Sequence, residues 1–446
     1  MKSISIFGTS SDAGKSTLTF VIAKLIQERG HSVGVFKAQN VSNNSRITDD
    51  GAEIAIAQHF QAEVLGIPTS YHLNPVLLKS GSGNSASLIL NGKVAGDKNV
   101  REYYRDINTL KPLVRDAFLY LAKRYDCVVC EGAGSPVELN LMDKDLSNIF
   151  IADTFDTKII LVADIERGGV FASIWGVYNL LPKKLRENVI GVIVNKFRGD
   201  MSLFDEGITI IEENFGIPVL GVLPYIPFNL GFEDSQSLKN FVQNKSNPKQ
   251  KIGIINYPTM SNFNDFEPLI ADEDVFVEFI TSNIPLESFD VIILPGSKLV
   301  IHDLQWLKTT GLFENLQRRK KEILGICGGY QMMFNAIVDD GCVETAIPSR
   351  EKALGFIDDV IVFQNEKILK KGVYELFGKK INGFEIRHGI SGKYPLWYEK
   401  DHIKGTFVHG IFDDEKFEAT KKRTIDHFIA IMREKLDTQR ILDNVI

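Results

Sequence analysis

Short apolar runs rich in β-branched residues alternate with helical-period stretches through the first half of the chain. Ile4–Phe7, "SVGVFK" at Ser32–Lys37, "CVVCEGAG" at Cys127–Gly134, "KIILVADI" at Lys158–Ile165 and "VIGVIVNKF" at Val189–Phe197 read as strands. "STLTFVIAKLIQERG" at Ser16–Gly30 carries its apolar residues at helical spacing. Such alternation predicts a parallel sheet covered by helices. The apolar pattern stops around Phe241–Gln250, where "QNKSNPKQ" is polar with one proline and reads as a linker. It then restarts with "KIGIINYP", "DVIILPGS" and "EILGICGGYQMMF". Two doubly wound α/β domains are therefore expected, at 1–240 and 251–446, each with its own sheet.

Composition narrows the class. A chain of 446 residues is too long for one ordinary core, and 44% hydrophobic with 24% charged residues is the balance of a globular protein in water. The formal charge of -6, with no long Lys/Arg block, leaves no electrostatic footprint for nucleic acid or an anionic membrane. The densest basic run, Arg318–Lys321, reads as a solvated helix face. The start has no long apolar signal segment and no stretch approaches the roughly 18 apolar residues of a membrane span, so a cytoplasmic location is expected. Four cysteines in a chain this size do not make a disulfide framework. Cys127 and Cys130 form C-x-x-C inside an apolar strand, where i and i+3 face opposite sides, so inert packing is expected of both.

"GTSSDAGKST", Gly8–Thr17, lies between the first strand and the first helix, where a phosphate-binding loop belongs. Gly14-Lys15-Ser16 supplies the end of G-x-x-x-x-G-K-[ST], while Thr9 stands at the first-glycine position. Backbone N–H groups and Lys15 would cradle phosphates, and a hydroxyl would meet Mg²⁺. Ser10 occupies the place of the second lysine of partition-type ATPases, which weakens a scaffold reading. Lys37 closes the second strand, where open α/β sheets bind ligands, or else is a solvated lysine. Glu131 follows a buried strand and can coordinate Mg²⁺ directly or through water. Asp143 and Asp145 in "ELNLMDKDLSN" read either as loop caps or as groups near the reacting phosphate.

In the second half, "EILGICGGYQMM" sets Cys327 between an apolar strand and a helical run among Gly325, Gly328 and Gly329. This is the pattern of a strand-to-helix elbow that exposes a nucleophile beside backbone donors. A thiol needs a base to become a nucleophile, and "GTFVHGIF" offers His409 at the end of another strand. "ILPGSK" at Ile293–Lys298 offers a glycine turn for further oxyanion donors.

Taken in order, "TSSDAGKST", "FKAQNVSNNS", "NPVLLK", "EGAGSPVELNL", "ADIERGGVFA", "VNKFRGD", "LPGSK", "GICGGYQMM", "GFEIRHG" and "TFVHGIF" resemble the cobyric acid synthase family over nearly the whole chain. That resemblance implies an N-terminal P-loop NTPase-like domain similar to dethiobiotin synthetase and a C-terminal class I glutamine amidotransferase-like domain. It implies ATP, Mg²⁺ and glutamine as nitrogen donor, and a corrinoid substrate, adenosylcobyrinic acid a,c-diamide, amidated on four peripheral carboxylates. Carried onto this chain, the expected nucleotide contacts are Thr9, Asp12, Gly14, Lys15, Ser16, Thr17, Lys37 and Asn195. The expected metal ligands are Ser16, Asp50 and Glu131, the expected catalytic pair Cys327 and His409, and the expected oxyanion positions Gly296 and Gly328. Many amidotransferases of this class carry Glu two residues after the histidine. Ile411 stands there here, so the expectation is a Cys-His dyad, with Glu385 a candidate for binding glutamine or orienting the site. The sibling synthase that amidates the a and c carboxylates, and a non-catalytic P-loop scaffold, are the competing readings. Oligomeric state and ammonia route stay open at this level.

Overall fold

The computed structural model describes every residue except Met1, 81–84, 227, 229, 231–242, 244, 246 and 446. The first sheet runs in the order Val219–Pro224, Val189–Phe197, Lys158–Asp164, Ile4–Gly8, Cys127–Glu131, Val33–Phe36, and every pairing is parallel. The strands are continuous apolar runs because both faces are covered. Along Lys158–Asp164, Ile160 and Val162 join the core that holds the helix Lys15–Gln27, while Ile159, Leu161 and Ala163 join the core under the helix Val170–Leu180. Ile4–Gly8 lies at the centre of the sheet, so the loop leaving it opens at the carboxyl edge, the ligand edge of open α/β sheets.

The second sheet runs Val275–Ile280, Gln250–Ile255, Val291–Leu294, Ile323–Ile326, Ile403–Thr406, Trp397–Lys400, parallel except for its last pair. The two α/β units read from the sequence are thus present. Unanticipated was a second layer in this half, a four-stranded sheet dominated by the long hairpin of Ile357–Leu376 and Lys379–Ser391.

Two expectations are corrected, the extent of the second unit and the face of Arg319. The second unit does not keep the chain to its end: the helix Glu415–Lys435 and the turn after it return to the first. Ile425, Phe428, Ile429, Met432, Leu436 and Leu442 are buried in the first unit's core, and Lys2 N–H donates to Val445 O at 3.0 Å. The stretch read as a linker lies partly outside the described residues. At its described end, Gln243 Nε2 donates to Ile270 O and Lys245 Nζ to Ile270, Asp272 and Val275 carbonyls, which ties it to the second unit. Arg319 is not on a solvated face: it is buried, and its guanidinium donates to the carbonyls of Leu286, Phe289 and Asp290, as a buried cation requires. Cys127 and Cys130 are both buried, and burial pushes the Cys127 thiol up to about 12, as inert packing requires. Among the described residues no helix is long and apolar enough to cross a membrane.

The units meet through the hairpin Ser45–Ile47 and Glu53–Ala55 of the first, which reaches the long hairpin of the second. Arg46 lies over the Phe384 ring at 4.5 Å, and Ile47 packs with Phe384 and Ile386. Beneath them Glu53 is fully buried between Lys79 at 2.6 Å and Lys367 of the second unit at 2.7 Å. The two cations hold its carboxyl below the usual range against the opposing effect of burial.

Candidate active site

The phosphate loop departs from Gly8, where a Cβ would stand 2.7 Å from both Lys15 Nζ and Ser10 O. Glycine is needed there because the Lys15 side chain folds back over the loop, donating to Ser10 O at 3.1 Å. Gly14 has φ +99°, the left-handed region that glycine adopts freely, and caps the helix Lys15–Gln27. Asn195, from the strand Val189–Phe197 two places along the sheet, donates its side-chain amide to Ala13 O at 2.9 Å and so braces the loop. Asp12 pairs with Arg167 at 3.1 Å, tying the exposed tip of the loop to the "ADIERGG" stretch. Thr9 N–H donates to Val162 O at 2.8 Å, and Thr17 sits in the first turn of the helix.

Glu131, at the end of its strand, is the hub of this half. Its Oε1 accepts from Ser16 Oγ at 2.6 Å and Lys37 Nζ at 2.8 Å, and its Oε2 from Gln61 at 2.6 Å and Gln58 at 3.2 Å. Burial pushes this carboxyl up, but Lys37 and the hydroxyl and amide donors outweigh it and hold it charged. A hydroxyl and a carboxylate meeting at a helix N-terminus are the hard oxygen donors that suit Mg²⁺. Asp50 is not brought to them: it lies exposed in the turn of the 45–55 hairpin, hydrogen-bonded by Thr48 two residues back. Asp145 caps its own turn, accepting from Asn148 N–H at 2.6 Å and Asn148 Nδ2 at 2.7 Å, and Asp143 is exposed on the short helix Met142–Lys144.

In the second unit Cys327 follows the strand Ile323–Ile326 with φ +48° and ψ -105°, a strained conformation that costs about 1–3 kcal/mol. Its neighbours enforce it. Cys327 N–H donates to Thr406 O at 2.8 Å and Gly329 N–H to Pro295 O at 2.9 Å, while a Cβ on Gly329 would stand 1.9 Å from Leu294 O. The elbow faces the glycine turn: a Cβ on Gly328 would meet Ser297 N at 2.6 Å, and one on Gly296 would meet His409 Cε1 at 3.1 Å. Both expected oxyanion positions therefore flank the Cys-His pair.

His409 is fully buried, its ring stacked on Phe384 with centroids 5.0 Å apart, and it is close enough to Cys327 for the sulfur to raise its proton affinity, while the Cys327 S–H donates to Ile386 O at 3.5 Å. The expected dyad is corrected to a set of three. His409 Nδ1 donates to Asp265 Oδ2 at 2.6 Å, and Asp265 Oδ1 accepts from Gly410 N–H at 3.0 Å. Burial disfavours the imidazolium, but the Asp265 charge and the adjacent sulfur outweigh it and push the ring up to about 10. The acid comes from the turn Phe263–Phe266 and not from the residues that follow the histidine, of which Phe412 packs toward Phe266.

Glu385 is not among the residues lining the pocket in front of Cys327. It holds Arg387 at 2.7 Å, and Arg387, stacked over Phe407, lines the pocket in front of Cys327. Gln331, one helical turn after Cys327, also lines that pocket, and its buried Oε1 has no partner among the described residues. The far wall is the first unit's, through Asn43 and Lys79. Asp265, Asn262 and Glu53 were all missed in the sequence. The available signal was an acid between Phe263 and Phe266: a carboxylate in an apolar stretch needs a buried partner.

Two domain profiles match the chain, a "CobQ/CobB/MinD/ParA nucleotide binding domain" over residues 4–230 and a "CobB/CobQ-like glutamine amidotransferase domain" over residues 251–417. Among curated proteins, the chain is 62% identical to a cobyric acid synthase of Acinetobacter baylyi, covering 100% of this chain and 99% of that one. It is 39% identical to a cobyric acid synthase of Carboxydothermus hydrogenoformans, covering 93% and 89%.

Proposed function

The chain belongs to the cobyric acid synthase family, glutamine-dependent amidoligases of cobalamin biosynthesis, and on that footing we propose that its two sites divide one amidation between them. The substrate is a corrinoid, adenosylcobyrinic acid a,c-diamide, and the groups converted are its b, d, e and g carboxylates, in the cytoplasm.

At the first site ATP lies along the loop, with Lys15, Lys37 and the N–H groups of the helix start around its phosphates. A carboxylate oxygen of the corrinoid attacks the γ-phosphorus and the bond to ADP breaks, leaving an acyl phosphate. Activation is needed because a carboxylate repels a nucleophile, whereas phosphate is a good leaving group. Ser16 and Glu131 would hold Mg²⁺, which when bound supplies positive charge against the transferring phosphoryl group. Asn195 and Asp12 act one step back, bracing the loop.

At the second site the proton of Cys327 passes to His409 Nε2, and the thiolate attacks the side-chain amide carbon of glutamine. Gly296 and Gly328 let backbone approach the oxyanion closely. The imidazolium, oriented by Asp265, returns its proton to the departing ammonia, and water then releases glutamate from sulfur. Ammonia attacks the acyl carbon at the first site and phosphate leaves. The observation that carries this reading is that Cys327, backed by the buried pair His409 and Asp265, lines a pocket whose far wall belongs to the nucleotide-binding unit.

The test supplies ATP, Mg²⁺ and glutamine with either cobyrinic acid or its a,c-diamide and counts amides by mass. Four additions to the a,c-diamide are expected. Cys327→Ser is expected to lose glutamine use and keep activity with ammonium salts. Amidation confined to cobyrinic acid, or glutamine use surviving in Cys327→Ser, would overturn the proposal.

A further inference from the structure

The turn that supplies Asp265 also supplies Asn262, and the first unit holds it from both sides. Asn262 N–H donates to the Asn44 side chain at 2.7 Å, and Asn262 Oδ1 accepts from Ser45 N–H at 3.0 Å. Its Nδ2 lies 3.2 Å from His409 Nε2. The two ends of a side-chain amide are told apart by their network. Flipping this one would set its NH₂ group against the Ser45 N–H, so the NH₂ group faces the ring. Because Nδ1–H is committed to Asp265, Nε2 of the neutral ring bears the lone pair, and that lone pair must accept the Cys327 proton.

We propose that Asn262 is a positioning residue through which the first unit restrains the glutaminase base: its NH₂ group occupies the His409 Nε2 lone pair until loading of the first site withdraws it. The inference rests on the reading that Cys327 hydrolyses glutamine. While the amide stays, an imidazolium would set Nε2–H against an N–H donor, which opposes the charged ring that Asp265 favours. Release has a physical route. The segment 37–45 begins at Lys37, bonded to Glu131 in the nucleotide half, and ends at Asn44 and Ser45 on the Asn262 turn. Phosphates and metal arriving at Lys15, Ser16 and Glu131 compete for Lys37, and so act on the other end of the segment that holds the amide. Ammonia is then released only when an acyl phosphate awaits it.

The test reads the thiolate of Cys327 in the full-length protein by its rate of alkylation with iodoacetamide, separated from exposed Cys342 by peptide mass. Without substrates, Asn262→Asp is expected to alkylate about fivefold faster than the unsubstituted chain, the scale of one neutral hydrogen bond. The carboxylate accepts from Nε2–H without opening space in the pocket. Asn44→Ala, which removes the acceptor of the Asn262 N–H, is expected to move the rate the same way by a smaller factor. Adding a non-hydrolysable ATP analogue, Mg²⁺ and the a,c-diamide is expected to raise the unsubstituted rate toward that of Asn262→Asp and to leave the variant unchanged. Equal or slower alkylation in both variants, or no response of the unsubstituted chain to loading, overturns the restraint. Failure of the glutaminase reading shows separately, as glutamine use surviving in Cys327→Ser.

Discussion

Replacing Asp265 by Asn tests the third member of the glutaminase set, because the change keeps side-chain volume and removes only charge. Asp265 is 1% and His409 0% exposed, and Nδ1 and Oδ2 are 2.6 Å apart. Two unit charges at that separation attract by about 6 kcal/mol at an effective dielectric near 20. The rise of the ring from an ordinary 6.5 to about 10, roughly 5 kcal/mol, is the net of Asp265 and the Cys327 sulfur against burial, and it has the same sign as the attraction to Asp265. Part of this survives as a neutral hydrogen bond, leaving about 3–4 kcal/mol of lost support, or about 10²–10³ in glutamine-dependent kcat/KM. The loss has a pH signature. In the unsubstituted chain Asp265 lets the ring keep the proton it takes from Cys327 up to about pH 10, whereas in Asp265→Asn burial is no longer offset by that charge and the imidazolium formed during attack gives its proton up at lower pH, so the deficit is expected to widen from pH 6 to pH 9. The assay is initial-rate amidation with glutamine and, in parallel, with ammonium salts, across that range. A deficit under threefold, or one equal for both nitrogen donors at every pH, would refute the role given to Asp265.

Glu131→Gln removes the carboxylate that Ser16 and Lys37 share, and is expected to abolish amidation with either nitrogen donor while Cys327 still alkylates; amidation surviving with ammonium would contradict its place in the phosphoryl half. Glu53→Gln leaves Lys79 and Lys367 buried without their counter-charge, and is expected to lower unfolding free energy by about 3–5 kcal/mol in urea titrations. Because the Glu53 carboxyl is held below its unfolded value, its stabilisation is full above about pH 4.5 and is lost as pH falls beyond that, so acid is expected to cost the unsubstituted chain more than Glu53→Gln. Phe428→Ala, on the returning helix, empties a site packed against Phe228 at 4.5 Å and is expected to destabilise the nucleotide-binding unit by about 3–5 kcal/mol, read by thermal unfolding; a melting point unchanged within one degree would deny that the helix belongs to that core.

The sequence by itself determined those features whose physics is local. Apolar runs without alternation demanded strands covered on both faces, Gly14-Lys15-Ser16 after a strand demanded a phosphate loop, and Cys327 among glycines demanded an elbow. Each works over a dozen residues, so each could be read from order along the chain. Glu131 and His409 were legible for the same reason, as polar residues at or just after the end of apolar runs. What joins them was not. Asp265 serves a histidine 144 positions later, Asn262 takes its orientation from residue 45, 217 positions earlier, and the helix after Asp414 completes a core begun at Ile4. Asp50 shows the converse, a carboxylate near the motifs in sequence that spends its hydrogen bonds on its own turn. Pairings of this kind are decided only when two sheets dock, because burial makes a charge or an amide seek whichever partner the packed chain places opposite it, and sequence distance has no bearing on that choice.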